Sequence, residues 1–341
     1  MNHPDLREFV DAPGPFLTVV IPTPSRLDDA AHRYDVNWKN AVSRLGEHWP
    51  PEEIAELDAM MSAAPHGSGE AVVVLHRRSG PTILEFIDDP IDTEIVDEAE
   101  LPRLATVIES RQRSLAHVVV EADRAGADLT AFDGGSVLAA ESVEGERLHI
   151  HRGHPGGWSQ RRFQQRAENT WEDNARLVAD AVSDLAGRVD ASFVAVAGEV
   201  RAQSLLVGEL VDRHQMPDVV AIEAGSPEGI ADEVVRVAAD RVARRMTDLA
   251  EQVRAGLADE RATVTVDATL EALGTGRVDT LLVHSDADGD DLVLDSEFVG
   301  IPPGVRVVDA AIVAALRSGA DVVAVPNLAV MDGPLAATLR W

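Results

Sequence analysis

From about residue 116 onward, stretches of helical periodicity alternate with short runs of β-branched and small apolar residues. The stretch 161–187 spaces its apolar residues by three, four and seven positions, which predicts a long amphipathic helix. The runs 192–199 and 218–224 are short and apolar, and they predict buried strands. A second long helix, with many charged residues, is predicted over 228–258. Such alternation is typical of an α/β protein, in which helices cover the faces of a sheet.

The first 115 residues combine helices and strands in a less regular order. The run FLTVVIPTP predicts a strand that ends at prolines, and two helices follow it, the second starting at Pro51. Residues 69–88 predict a pair of strands, and residues 101–115 predict a connecting helix. We therefore expect a mixed α/β N-terminal domain over residues 1–115.

The rest of the chain is predicted to form two further domains. In the middle domain, residues 116–262, we expect strand, turn and strand over 116–133 and a third strand at 147–152. In the C-terminal domain, residues 263–341, we expect a helix, a glycine turn and a strand. A possible strand at DLVLD follows, and then a strand, a helix, a second glycine turn and a buried strand.

The charge balance restricts the possible partners. The chain has 30 Lys and Arg residues against 59 Asp and Glu residues, a formal net charge of −29, and Lys39 is its single lysine. Broad nucleic-acid binding needs a wide basic surface that releases counterions, so this balance argues against it. The absence of cysteine excludes disulfides and cysteine nucleophiles. Without an apolar run of membrane-spanning length or a secretory signal pattern, we expect a cytoplasmic protein with no membrane contact.

One basic stretch interrupts this acidity. HRGHPGGWSQRRFQQR, residues 151–166, contains no acidic residue, and its Gly and Pro residues predict an irregular loop. Arg161, Arg162 and Arg166 fall at the start of the following helix, where the helix dipole prefers anions, so their placement suits a docked phosphate. Gln160 can donate and accept hydrogen bonds, so it can position a water or bridge RNA groups. The alternative is an ordinary surface loop whose arginines pair with the many carboxylates.

Other short patterns do not predict a metal or cofactor site. Residues 284–295 approach the calcium loop of an EF-hand, but His284 and Asp295 occupy its first and last positions, and we expect an acidic turn. His151 and His154 have the spacing of metal ligands but lack an evident third ligand nearby.

Several stretches, in order along the chain, resemble one known superfamily. ALGTGRVDTLLV (272–283) and GPLAATLRW (333–341) are similar to segments of the C-terminal domain of Pelota and of the archaeal and eukaryotic class I release factors. The middle segment resembles the release-factor middle domain, which carries a Gly-Gly-Gln loop before a long helix, and GGWSQ corresponds to that loop. RFQQRAENTWEDNA and FVAVAGEVRAQSLL make the chain most similar to the bacterial branch, which includes actinobacterial dormancy-associated and Balon-like ribosome hibernation factors.

The resemblance implies an RNase H-like α/β middle domain and a ribosomal-protein-like α/β/α C-terminal domain. It also implies a ribosome-binding translation factor, most directly a hibernation factor in the A site of idle ribosomes. Its main partner would be rRNA, with tRNA and a translational GTPase, bound through the C-terminal domain, as further candidates; no cofactor is expected. The residues expected to contact the ribosome are Arg152, His154, Gly156, Gly157, Trp158, Gln160, Arg161, Arg162 and Arg166.

The same loop leaves an enzymatic alternative open. In release factors the glutamine follows Gly-Gly directly and the loop places water for peptidyl-tRNA hydrolysis, whereas Trp158 and Ser159 precede Gln160 here. A Gly-x-x-Gln spacing resembles the loop of eukaryotic quality-control relatives that release stalled chains. Gln160 would then be the catalytic residue of a peptidyl-tRNA hydrolase. A second alternative is an oligomeric α/β protein with no ribosomal role.

Overall fold

The computed structural model describes residues 3–23, 30–45, 49–63, 69–87, 91, 94–123, 125–133, 136–145, 157–284, 292–325 and 328–341. For residues 30–32, 157–169 and 171 it describes the backbone alone. Helices in these ranges are α1 Pro4–Asp11, α2 Ala30–Arg44, α3 Pro51–Ala63, α4 Ala105–Arg113, α5 Gly157–Arg188, α6 Val200–Val211, α7 Pro227–Ala258, α8 Val266–Gly274 and α9 Val307–Ser318. Strands are β1 Phe16–Pro22, β2 Ala71–Arg77, β3 Thr82–Ile87, β4 Ile95–Ala99, β5 His117–Ala122, β6 Gly126–Asp133, β7 Ser136–Glu144, β8 Phe193–Gly198, β9 Asp218–Ala221, β10 Ala262–Thr263, β11 Val278–His284, β12 Asp321–Val325 and β13 Leu335–Leu339.

The N-terminal sheet is antiparallel, with the strand order β3-β2-β1-β4. Strand β1 is a nearly continuous apolar run, so both of its faces are buried. On one face Leu17 packs in a cluster with Tyr34 and Trp38 of α2. On the other face Phe16 and Val20 belong to a second cluster, so the sheet separates two apolar layers.

The middle sheet has the order β7-β6-β5-β8-β9. Strand β6 is antiparallel to β5 and β7, whereas β5, β8 and β9 run parallel. Numbered from β5, this is the 3-2-1-4-5 order of an RNase H-like sheet, as the resemblance implied. Helices α5 and α6 cover one face through residues such as Val182 and Leu206, and the first part of α7 covers the other through Ile230 and Val234.

The C-terminal sheet has the order β10-β13-β11-β12, with β11 parallel to β12 and antiparallel to β13. Helices α8 and α9 pack on one face, and Met246, Leu249 and Val253 near the end of α7 pack on the other. The first ten residues of α9, 307–316, are all buried because the helix is apolar on nearly every side. The α/β class of the protein and the α/β/α layers of this segment are confirmed.

The chain folds as two compact units, Met1–Gln112 with Ala243–Trp341, and Arg113–Val242. Each of the three predicted domains contains one of the sheets, and their boundaries stay predictions. The packing adds that the first and last segments share one apolar core: Phe9 and Leu104 lie in the same cluster as Leu281 and Ile312.

Gln112 joins these two segments through a buried amide. Its Oε1 accepts a hydrogen bond from the Ala324 N–H at 3.0 Å, and its Nε2 donates to the Ala324 carbonyl. Because β12 is an edge strand, the amide of Gln112 satisfies backbone groups that the sheet leaves unpaired.

Three strand predictions differ from the structure. The strand predicted at 147–152 lies outside the described residues, and β7, which ends before that segment, is the third strand of the middle sheet. Its Ser, Ala and Glu residues have low strand propensity, so pairing with β6 decides its conformation. Val307 and Val308 begin α9 rather than a strand, and DLVLD forms only an isolated bridge between Val293 and Arg306.

Acid will destabilise the first unit through His3. This side chain is buried, and burial together with the nearby Arg111 charge lowers the pKa of His3 to about 4. The unfolded chain therefore binds the proton more readily between pH 6.5 and 4, so stability falls as the pH falls. We expect a loss of about 2 kcal/mol between pH 7.5 and 5, measured by hydrogen exchange of α9 amides. The variant His3→Gln should lose about 2 kcal/mol less over this range, and an equal loss would contradict the assignment.

Candidate functional site

The helix predicted over residues 161–187 starts earlier in the structure, within the basic stretch. Helix α5 begins at Gly157, so the last residues of the expected Gly-Gly-Trp-Ser-Gln loop are helical. The loop prediction for Gly157–Gln160 is thus corrected. The physical reason is that Gln and Arg favour helices, and glycine costs less at a helix end than in its interior.

The structure places the expected ribosome-contacting residues in two groups. Arg152, His154 and Gly156 lie outside the described residues. The same is true of His151, the other histidine of the metal-ligand spacing, and of residues 285–291 within the expected acidic turn 284–295. The others lie along the first three turns of α5, where the backbone alone is described: Gly157, Trp158, Gln160, Arg161, Arg162 and Arg166. They therefore follow one another on a single helical segment.

The core-packed part of α5 begins well after this segment. Among the described side chains of the helix, Asn174 and Ala175 are the first that are buried, and Leu185 lies deep in the core. At a helical rise of about 1.5 Å per residue, Gly157 lies roughly 26 Å along the axis from Asn174. The helix is thus anchored through its later turns.

Salt bridges hold these later turns in place. Arg213 of the following segment contacts Asp180 at 2.7 Å, and Arg188 pairs with Glu141 of β7. Arg176 contacts Glu209 of α6 at 3.4 Å. Arginines in this part of α5 therefore have carboxylate partners, as expected in an acidic chain.

The amino end of α5 is suited to anions. The first four N–H groups of a helix lack intrahelical acceptors, and the dipole places about half a positive charge there. Glycine and arginine residues occupy this end, and its first turn contains no acidic residue. A phosphate group fits both the backbone donors and the arginine charge.

The middle unit also contains a small pocket between α5 and α6. Its polar residues are Asp123, Asn174 and Arg201, above an apolar floor that includes Val178 and Leu206. Asp123 accepts the N–H groups of the next turn at 2.6 and 2.9 Å, so its carboxylate serves the β5–β6 connection. Within the described ranges, no group of His, Asp and Glu side chains is arranged to hold a metal ion.

The sequence did not predict a ring stack across the middle sheet. His117 lies between Phe132 and Phe193, with ring centroids 5.2 and 4.9 Å away and nearly parallel planes. Burial lowers the pKa of His117. Arg241 of α7 lies over Phe193 at 5.1 Å and contacts Asp218 at 3.0 Å. His117, Phe132 and Phe193 lie side by side because β5 pairs with β6 and β8 in this register. Their spacing along the sequence therefore could not have predicted the stack.

Comparison with known proteins relates the middle segment to one protein family. Residues 116–259 match the model of bacterial archaeo-eukaryotic release factor family 2, starting where the second predicted domain starts. The middle segment of the chain is thus similar to bacterial proteins of the archaeo-eukaryotic release-factor type.

Two curated relatives come from Mycobacterium tuberculosis: the uncharacterised proteins Rv2629 of strain H37Rv and MT2704 of strain CDC 1551. Each is 25% identical over 294 residues, covering 83% of this chain and 78% of the relative. Among solved structures, ribosome-bound archaeal Pelota, from a model with ABCE1, matches 100% of this chain and 94% of its own. The identity is 16% and the TM-score 0.44.

Dom34 of S. cerevisiae, a termination-like factor described as interacting with Hbs1, matches 75% of each chain. The identity is 9% and the TM-score 0.44. Both TM-scores are low, so the assignment rests on the match of the middle segment. Separately, none of the helices in the described part of the chain is long and apolar enough to cross a membrane.

Proposed function

We propose that this protein binds ribosomes as a hibernation factor and occupies the A site of idle ribosomes in the cytoplasm. The observation that carries the proposal is the match of residues 116–259 to a bacterial release-factor family. Within that segment, the one basic stretch of an acidic chain leads into the amino end of α5. This combination supports contact with RNA at one place on the molecule.

In the proposed complex the segment from Arg152 to Arg166 lies against ribosomal RNA. The backbone N–H groups at the start of α5 and the side chains of Arg161, Arg162 and Arg166 bind phosphates. Trp158 stacks on a base, and the glycines allow close approach of the backbone. The net charge of −29 disfavours broad contact of the acidic surface with RNA, so that the amino end of α5 orients the binding of its own unit.

The C-terminal segment contacts a translational GTPase in this proposal, and the tRNA end is a further contact of the basic stretch. The support is the resemblance of residues 272–283 and 333–341 to the C-terminal domain of Pelota and release factors. In the structure these residues form the end of α8, most of β11, and β13 with its flanks, which puts both stretches in one sheet.

A peptidyl-tRNA hydrolase is the second candidate function. It is favoured by Gln160, which the structure places in the first turn of α5, three residues after Gly157. Near that end, a glutamine side chain would orient the attacking water, and ribosomal RNA would supply much of the environment. Hydrolysis would then break the ester bond of peptidyl-tRNA with one water, releasing the peptide with a free carboxyl group and the tRNA with a free terminal hydroxyl.

Co-sedimentation with 70S ribosomes at low salt, with and without the elongation GTPase, tests the proposal. We expect the protein in the ribosome pellet and intact peptidyl-tRNA in a gel assay of ribosome complexes. Peptide release that is lost in Gln160→Ala but retained in Gln164→Ala would favour the hydrolase instead. Absence from the pellet under both conditions would contradict both functions and leave a non-ribosomal α/β protein.

A further inference from the structure

Four arginines gather where α9 ends, in the unit that contains the first and last segments. We call Arg7, Arg277, Arg317 and Arg340 the α9 arginine cluster. Arg7 Nη2 donates to the carbonyl of Arg317 at 3.3 Å, and Arg340 Nη2 donates to the carbonyl of Gly319 at 3.2 Å. A Cβ atom at Gly319 would lie 3.5 Å from Nη1 of Arg7, so Arg7 and Arg340 both approach this residue.

The other two arginines fix the surrounding backbone. Arg317 donates through Nε and Nη2 to the carbonyl of Val10 at 3.2 and 2.7 Å. Arg277 donates through Nε to the main-chain oxygen of Trp341 at 3.4 Å, and the Arg277 carbonyl accepts the N–H of Arg340 at 2.8 Å. The half-buried pair is thus structural, whereas Arg7 and Arg340 are exposed.

These four guanidinium groups differ from other arginines of the molecule in their partners. Arg111 pairs with two carboxylates, Arg103 with Asp97 at 2.8 Å, and Arg306 with Asp309 at 3.0 Å. Within the described residues, the hydrogen bonds of the α9 cluster run to main-chain oxygens, and none of its members forms a salt bridge with an Asp or Glu side chain.

The negative end of the α9 dipole explains why cations gather here, but it does not cancel them. A helix end carries about half an elementary charge, against four guanidinium charges. Carbonyl partners orient a guanidinium without neutralising it. The cluster therefore keeps a net positive charge in a chain whose formal charge is −29.

An exposed aromatic residue follows the cluster in the sequence. Trp341 follows Arg340 directly and is 65% exposed, which is unusual for an indole. Guanidinium groups beside an exposed aromatic ring are the combination that binds single-stranded nucleic acid, since phosphates take the charge and bases stack on the ring. An acidic protein segment would use the charge but would leave the indole in water.

We propose that the α9 arginine cluster and Trp341 form a second RNA-binding surface, which takes the phosphate backbone and a base of unpaired RNA. Its role rests on the proposed function, because ribosomal RNA supplies unpaired segments to a ribosome-bound factor. This surface lies on the first unit, whereas the basic stretch at residues 151–166 belongs to the other unit. The protein thus contacts RNA through both of its compact units.

The test uses the full chain carrying Arg161→Glu/Arg162→Glu, so that the amino end of α5 contributes little, and a fluorescein-labelled 20-nucleotide poly(U) RNA. In this background, Arg7→Gln/Arg340→Gln should reduce the slope of log affinity against log salt by about 1.4 and weaken binding about 10-fold at low salt. Trp341→Ala should weaken RNA binding about 5-fold or more, and it should leave the binding of heparin, which has charge but no bases, unchanged.

The matched control is Arg236→Gln/Arg254→Gln, which removes the same charge from exposed positions of α7. Equal weakening by both pairs, or by neither, overturns the proposal, and so does equal loss of heparin and RNA binding in Trp341→Ala. If the wild-type protein fails to sediment with ribosomes while RNA binding depends on the cluster, the proposed function fails and this surface stands. If the protein sediments but the two arginine pairs behave alike, this surface fails and the proposed function stands.

Discussion

Reversing the charge of Arg161 and Arg162 will lower the affinity of this protein for 70S ribosomes by at least about 100-fold, because each charge-assisted hydrogen bond to phosphate contributes about 1.5–3 kcal/mol. The two glutamates also repel the RNA backbone. Because negative side chains are favourable near the amino end of a helix, the substitutions should not weaken α5, and the loss of affinity reflects lost binding. The measurement is co-sedimentation over a range of protein concentrations at fixed salt.

The chain offers a matched control for this variant. Arg244 and Arg245 are also adjacent arginines of a 32-residue helix, and both are exposed on α7. Arg244→Glu/Arg245→Glu changes the net charge by the same amount, and we expect it to weaken ribosome binding far less. If both double variants lose affinity equally, the effect comes from overall charge, and the amino end of α5 is not the contact.

Truncating Phe9 to alanine will destabilise the first unit by about 3–5 kcal/mol, because the side chain fills a core that cannot collapse around the cavity. Phe9 is 1% exposed, and its ring centroid lies 5.3 Å from that of Phe16. Since α9 belongs to the same apolar cluster, the loss should appear in the C-terminal segment too. Hydrogen exchange of α9 amides should accelerate by roughly 100-fold or more.

Met60→Ala is the control for this prediction. It removes a large apolar side chain from the same N-terminal segment, but Met60 is 39% exposed, so little burial is lost. We expect α9 exchange to stay close to that of the wild type. Faster exchange in the N-terminal strands of Phe9→Ala, with α9 unchanged, would show that the two segments unfold separately and that the shared core is not cooperative.

The helices and buried strands of the middle domain could be predicted closely, because their periodicity is strong. Helix α7 starts one residue before the predicted one and ends with it, and β8 lies inside the predicted strand at 192–199. Weakly patterned elements could not be predicted: β7 has polar and small residues that form a strand only because β6 offers a partner. The residues at the start of α5 were predicted as a loop because Gly156 and Gly157 are turn residues, yet the arginines and glutamines after them continue the helix.

The sequence by itself determined the α/β class, the long helices and the isolation of one basic stretch in an acidic chain, since each depends on the order and type of neighbouring residues. It also carried the resemblance of the middle segment to release factors, which the family match over residues 116–259 confirms. Only the tertiary structure decided that the first and last segments share a core, and that Arg7 and Arg340 meet at Gly319. The contact of Arg317 with Val10 joins residues 307 positions apart, and such contacts depend on which apolar faces pack together rather than on any local pattern.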